Sequence, residues 1–265
     1  MFGNAFGSAS NDEPLYRAAK IKAPRPLATS IPMNRLPGLD LLRAIAIVWV
    51  MLFHSFLVGG LGPHFAWLSR FGWAGVDIFF VLSGLLIGTQ VLRQLQSGAG
   101  FSIGAFYARR AWRILPAFAV VLALYALFPA LREAPGLQPW WQFASFTMNL
   151  LIDYEHNQAF SHAWSLCVEE HFYLVFPFLA WWLTRRAPSA RQVVVGSVMV
   201  VIIGIAWRGG TWLHDTATDP PRIWFIEDIY YPTWMRLDGL LMGVMLAMLR
   251  VYRRSCGRGC SSAPT

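Results

Sequence analysis

Ionisable side chains stand inside apolar runs of this chain, and their spacing suggests chemistry. The stretch from Leu39 to His54, LDLLRAIAIVWVMLFH, is apolar yet carries Asp40, Arg43 and His54. On an α-helix the eleven steps from Arg43 to His54 turn about 1100°, within roughly 20° of whole turns, and rise about 16 Å. Both side chains therefore share one face. An Arg within a membrane-spanning segment costs roughly 2.5 to 3.5 kcal/mol on insertion scales, so it is retained where it faces protein or a polar cavity. Imidazole is the usual general base for a hydroxyl about to attack an acyl carbon. That makes His54 the candidate base, with Asp40 or Asp77 as the carboxylate that orients the ring or balances its charge.

Three further segments carry candidate groups. Asp77 stands in GVDIFFVLSG and needs a partner inside an apolar helix, for which Arg43 or His54 is the natural candidate. Gly75, Ser83 and Gly84 of the same segment fit helix packing equally well. In SHAWSLCVEEHFYLVFP, Ser165, Glu169 and Tyr173 recur at four-residue steps and line one helical face, while Glu170 and His171 point elsewhere. Arg109, Arg110 and Arg113 in FYARRAWRILPAF read as topogenic positive charge. Arg110 and Arg113, one helical turn apart, could also form a fork for a phosphorylated ligand. Asp238 in YYPTWMRLDGLLMG is expected to form a structural ion pair with Arg236 or with a charge on another span.

The elements that position these groups are membrane helices. The 265 residues are 56% hydrophobic and only 14% charged, against about 25% charged in ordinary soluble domains. The fold class is an all-α, polytopic transmembrane bundle, with membrane lipid as its surroundings. The net charge is +8, but the basic residues sit in short clusters between apolar runs rather than in a stripe, which argues against nucleic acid. Three cysteines give no disulfide framework, and Cys256 with Cys260 lacks the His partners of a metal site, so no metal is expected.

Residues 1–38, rich in Gly, Ser, Asn and Pro, read as a basic, disordered cytoplasmic tail. About six spans follow in residues 39–250: roughly 39–58, 71–92, 111–131, 164–183, 192–207 and 234–249. Residues 251–265 form a second cytoplasmic tail. Basic connections alternate with acidic or neutral ones, which puts both termini inside an inner (plasma) membrane of bacterial type. Residues 139–152, PWWQFASFTMNLLI, are too short to span and read as interfacial or re-entrant.

Taken together, Arg43 with His54, GVDIFFVLSG (75–84), RAWR (110–113), WSLCVEEHFY (164–173) and RLDGLLMG (236–243) resemble the acyltransferase-3 family of integral membrane O-acyltransferases. The resemblance covers roughly 200 residues. It implies transfer of an acyl group, usually acetyl, from acyl-CoA to a hydroxyl of a cell-surface or secreted carbohydrate or glycolipid. By that analogy His54 acts catalytically with Arg43 in support and Asp77 and Glu169 as partners. Arg110 and Arg113 engage the donor on the cytoplasmic side, and Ser165 and Tyr173 of the Glu169 motif help shape its site.

Members of the family usually have about ten membrane helices, whereas six are counted here and SCGRGCSSAPT follows the last one abruptly. The expectation is a truncated or frameshifted product, or a chain that dispenses with the later helices. The rival readings are a transporter or proton-relay protein whose buried charges line a path, and an inactive truncated acyltransferase. No internal repeat favours the transporter.

Overall fold

The computed structural model describes residues 37–55, 59–97, 101–186 and 189–260. The greater part of the basic N-terminal tail, residues 1–36, and the last five residues, 261–265, lie outside the described residues. The chain is a helical membrane bundle. Its helices are α1 (Pro37–Phe53), α2 (Ala66–Arg70), α3 (Ala74–Gln96), α4 (Ile103–Leu127), α5 (Trp140–Ala144), α6 (Trp164–Arg186), α7 (Ala190–Thr218) and α8 (Leu237–Cys260). Among the described residues the only strand-like pairing is an isolated parallel bridge between Leu137 and Ala159.

The six long helices correspond in order to the six expected spans. By length and composition α3, α4 and α7 are apolar enough to cross a membrane. The other three are marked by length or charge: α1 has 17 residues, α6 carries Glu169, Glu170, Arg185 and Arg186, and α8 runs into the arginines beyond Leu249. Residues 139–152 contain only the five-residue α5, about 7.5 Å long, which cannot span. Trp140 on it is 75% exposed while Phe143 is buried.

Several boundaries move relative to the sequence reading, each for a local reason. Ser102 caps α4 by accepting from the Ala105 N–H at 3.3 Å, so the helix starts at Ile103 and takes Arg109, Arg110 and Arg113 into its body. A reciprocal capping box between Ser189 and Gln192 starts α7. That helix runs past the expected span end near residue 207, through Asp215, until Asp219 turns into the left-handed region ahead of Pro220. Last, α8 begins at Leu237 rather than Trp234 because Pro232 opens a separate 3-10 turn, Thr233–Met235.

The bundle is built on the crossing of α3 and α8, the most extensive helix pair in the fold. A Cβ on Gly84 would collide with the Leu240 carbonyl, and one on Gly243 with the Val81 carbonyl. Gly88 meets Ala247 one turn on, at 2.9 Å from an added Cβ. The glycines of GVDIFFVLSG and RLDGLLMG are thus the two halves of one close backbone approach. On the other side α1 leans on α3, where a Cβ on Gly75 would lie 2.7 Å from the Ala46 carbonyl oxygen and from Val50 Cγ2. Outward-facing Val120 and Leu124 on α4, and Val195, Ile202 and Ile205 on α7, are exposed, as suits surfaces meeting lipid.

Candidate active site

The up-and-down course of the helices brings the C-terminal ends of α1 and α4 and the N-terminal ends of α3, α6 and α8 to the same end of the bundle. There a cavity of about 540 Å³ opens between His54, the Glu133 loop, His162, Trp164, the 225–236 segment and Arg208 of α7. Its size is ordinary for a ligand site. Trp73, Tyr154, Trp164, Phe225, Tyr230 and Tyr231 give it largely aromatic walls.

On α1 the inward face is as expected from the spacing: Arg43, Val50 and His54 are half-buried and Ala46 is fully buried, while Leu41, Ile45, Val48 and Met51 face outward. His54 Nδ1 lies 2.9 Å from the Val50 carbonyl oxygen. A carbonyl only accepts, so Nδ1 carries a proton and donates it there, which leaves Nε2 as the ring nitrogen that a neutral imidazole would use as a base. The carboxylates expected to orient His54 do not do so. Asp40 sits one turn from Arg43 at the start of α1, with 4.0 Å between them, and Asp77 is engaged elsewhere. A backbone carbonyl orients the ring instead.

The carboxylate in the cavity is Glu133, and it holds a second imidazole. His162 Nδ1 is 3.0 Å from Glu133 Oε1, and the His54 and His162 rings are 6.4 Å apart at their centroids. The hydrogen bond from His162 holds the Glu133 carboxyl below the usual carboxylate range. The loop that carries them is pinned at both ends. Arg132 caps the end of α4 by donating from Nε to the Tyr125 carbonyl at 2.6 Å. Ala159 N–H donates to the Gly136 carbonyl at 2.7 Å. Phe160 takes a left-handed φ of 61° and packs among Phe118, Tyr125 and Phe143. This strained residue delivers His162 into the cavity.

Two ion pairs tie α3, α7 and α8 together below these imidazoles. Asp77 pairs with Arg236, not with Arg43 or His54. A charge at the head of α8 wins because the α3–α8 crossing places Arg236 directly against the first turn of α3. Asp238 accepts from Arg208 of α7 at 2.7 Å, the alternative on another span. The Arg236 guanidinium also lies 4.9 Å from the Tyr230 ring centroid and 5.6 Å from that of Trp164, within cation–π range.

Deeper in the bundle Glu169 ties α6 to α3. Its Oε1 accepts from Ser83 Oγ at 2.5 Å and its Oε2 from Tyr173 OH at 2.9 Å. Arg110 and Arg43 are the cations that act on it electrostatically. The Arg110 guanidinium lies 3.4 Å over the Tyr173 ring. Arg110 Nε and Glu170 Oε1 are buried with no hydrogen-bond partner among the described residues. Arg113, by contrast, is exposed on α4, so the two arginines of the expected fork do not converge on one group here. Ser165 bonds weakly to the His162 carbonyl at 3.4 Å rather than joining Glu169. His171 has a packing role: its Nδ1 is 2.7 Å from Thr233 Oγ1, which accepts from the buried Asn149 at 2.9 Å.

Residues 36–258, nearly all of the described chain, match the profile of the acyltransferase-3 family, described as an acyltransferase domain. The chain belongs to the acyltransferase-3 family. It is 30% identical over 237 residues to the peptidoglycan O-acetyltransferase OatA of Listeria monocytogenes, a match covering 82% of this chain and 34% of that protein. It is 31% identical over 231 residues to the O-acetyltransferase OatA of Staphylococcus aureus, covering 81% of this chain and 34% of the relative. This acyltransferase-3 chain thus spans about a third of the length of the curated relatives it matches. No solved structure matches it.

The sequence reading missed Glu133, His162, Arg208 and Tyr154. Glu133 and His162 are 29 residues apart in a loop, where no helical or strand period connects them. The one available signal was the position of His162 two residues ahead of the WSLCVEEHFY motif.

Proposed function

We propose that this chain is an O-acyltransferase that moves an acetyl group from acetyl-CoA to a hydroxyl of a cell-wall carbohydrate, with His54 as the general base. The observation that carries this reading is the His54 ring, its Nδ1 held by the Val50 carbonyl, facing an aromatic-walled cavity in a chain of the acyltransferase-3 family. The C–H faces of a sugar pack well on aromatic rings, and the cavity is large enough for about one or two sugar units. Two relatives named as O-acetyltransferases, one of them acting on peptidoglycan, support the acceptor class.

The chain lies in an inner membrane with six crossings and both termini in the cytoplasm. The cavity then opens on the outer side, where the acceptor is. Arg110, stacked on Tyr173 beside Glu169 and Glu170, contacts the donor from within the bundle, and exposed Arg113 helps to draw in its phosphates. His54 Nε2 takes the acceptor proton as its oxygen bonds to the acyl carbon, the carbon–sulfur bond breaks, and the proton passes to the leaving thiolate. Purified protein in nanodiscs, given radiolabelled acetyl-CoA and peptidoglycan fragments, tests this. Label appears on the sugar if the reading is right; a catalytically silent protein that binds neither substrate overturns it.

A further inference from the structure

The cavity holds a second carboxylate-oriented imidazole that the general-base role of His54 does not use. His162 and Glu133 come from a loop that is pinned at both ends, and a left-handed Phe160 aims the His162 ring at His54, 6.4 Å away between centroids. Because Glu133 is acceptor-only when ionised, the 3.0 Å contact fixes a proton on His162 Nδ1 and sets Nε2 toward the cavity. His162 is about 40% exposed at its side chain and is not part of the buried core.

We propose that His162, held by Glu133, is the oxyanion-stabilising partner of His54 in the same transfer step. This rests on the acyl-transfer reading above. A thioester donor and a sugar hydroxyl acceptor meet between the two rings. His54 Nε2 accepts the hydroxyl proton while the hydroxyl oxygen bonds to the acyl carbon. The carbonyl electron pair moves onto oxygen, where the protonated His162 Nε2–H donates a hydrogen bond to it. The pair then returns, the carbon–sulfur bond breaks, and the proton on His54 goes to the thiolate. His162 ends as it began, and Glu133 balances its charge throughout.

Such a pair needs one ring neutral and the other protonated, which gives a bell-shaped dependence of rate on pH. The other groups around the rings do not account for it. Tyr154 and Tyr231 are pushed by burial above the ordinary phenol range and stay neutral. Arg208 and Arg236 are cations paired with Asp238 and Asp77.

The test is the pH–rate profile of acetyl transfer by the full chain in nanodiscs, for wild type, His162→Gln, Glu133→Gln and Glu133→Asp. Wild type should be bell-shaped. His162→Gln should lose the alkaline limb and about 10²-fold in kcat. Glu133→Gln, which leaves the ring in place, should move the alkaline limb to lower pH without moving the acid limb, and Glu133→Asp should restore it in part. An active wild type whose alkaline limb is unchanged in Glu133→Gln overturns the inference and leaves the acyl-transfer reading standing. A wild type that transfers nothing overturns both.

Discussion

Asp77 at the first turn of α3 and Arg236 at the head of α8, 159 residues apart in sequence, form an ion pair against the floor of the cavity. The pair locks the two central helices in register, and aromatic rings close over the guanidinium. Removing one partner of a fully buried pair costs about 3–5 kcal/mol. Asp77 is 42% exposed at its side chain, so Arg236→Met should cost less, about 1–3 kcal/mol. Thermal unfolding in detergent measures this. The swap Asp77→Arg with Arg236→Asp should recover part of the loss, and no recovery would show that the charges do not act as a pair.

The α3–α8 crossing depends on two bare backbones. Gly84→Ala or Gly243→Ala forces the helices apart, since each added Cβ meets a facing carbonyl. Overpacking of this kind costs about 1–3 kcal/mol, and the larger Gly84→Leu should abolish folded protein. Gly196 on α7 has nothing within 4 Å of an added Cβ, so Gly196→Ala is the tolerated control. Size-exclusion profiles of the four variants make the comparison.

Glu169 is held by one hydroxyl from α3 and one from its own helix. Ser83→Ala and Tyr173→Phe each remove one of these bonds. Leaving a buried acceptor without its partner costs about 1–3 kcal/mol, and losses in that range are expected in unfolding experiments. Tyr173→Phe keeps the ring under Arg110, so on the proposed reading of Arg110 as a donor contact it should weaken acetyl-CoA binding less than Tyr173→Ala, as read by titration.

The loop around Glu133 should be sensitive to acid. Its carboxyl is depressed in the folded state by the hydrogen bond from His162. The stability it contributes is therefore fully present above its unfolded value of 4.5 and is lost as pH falls through the lower folded value. Hydrogen exchange of the 132–163 segment should quicken as the pH drops below that point. In Glu133→Gln the acid dependence should flatten, and an unchanged slope would assign it to another group.

Much of this site was legible because helices have a period. The eleven-residue step placed Arg43 and His54 on one face of α1, and the four-residue step joined Glu169 to Tyr173; both relations hold in the structure. Partnerships across elements were not legible. Asp77 found Arg236 instead of Arg43 or His54 because the choice depends on which glycines let α3 and α8 touch, a tertiary fact. Glu133 and His162 meet through loop geometry, where an isolated bridge and one left-handed residue decide direction. Capping explains the remaining misses, since Ser102 and Asp219 set helix ends that hydropathy alone put elsewhere.

If His54 is the base for transfer to a sugar hydroxyl, acetyl transfer by His54→Ala beside wild type in the same nanodiscs reads its loss without intermediary. General acid–base catalysis contributes about 10²- to 10⁴-fold, so the variant should fall by that factor in kcat while still binding acetyl-CoA. A His54→Ala protein that transfers at the wild-type rate would contradict the account.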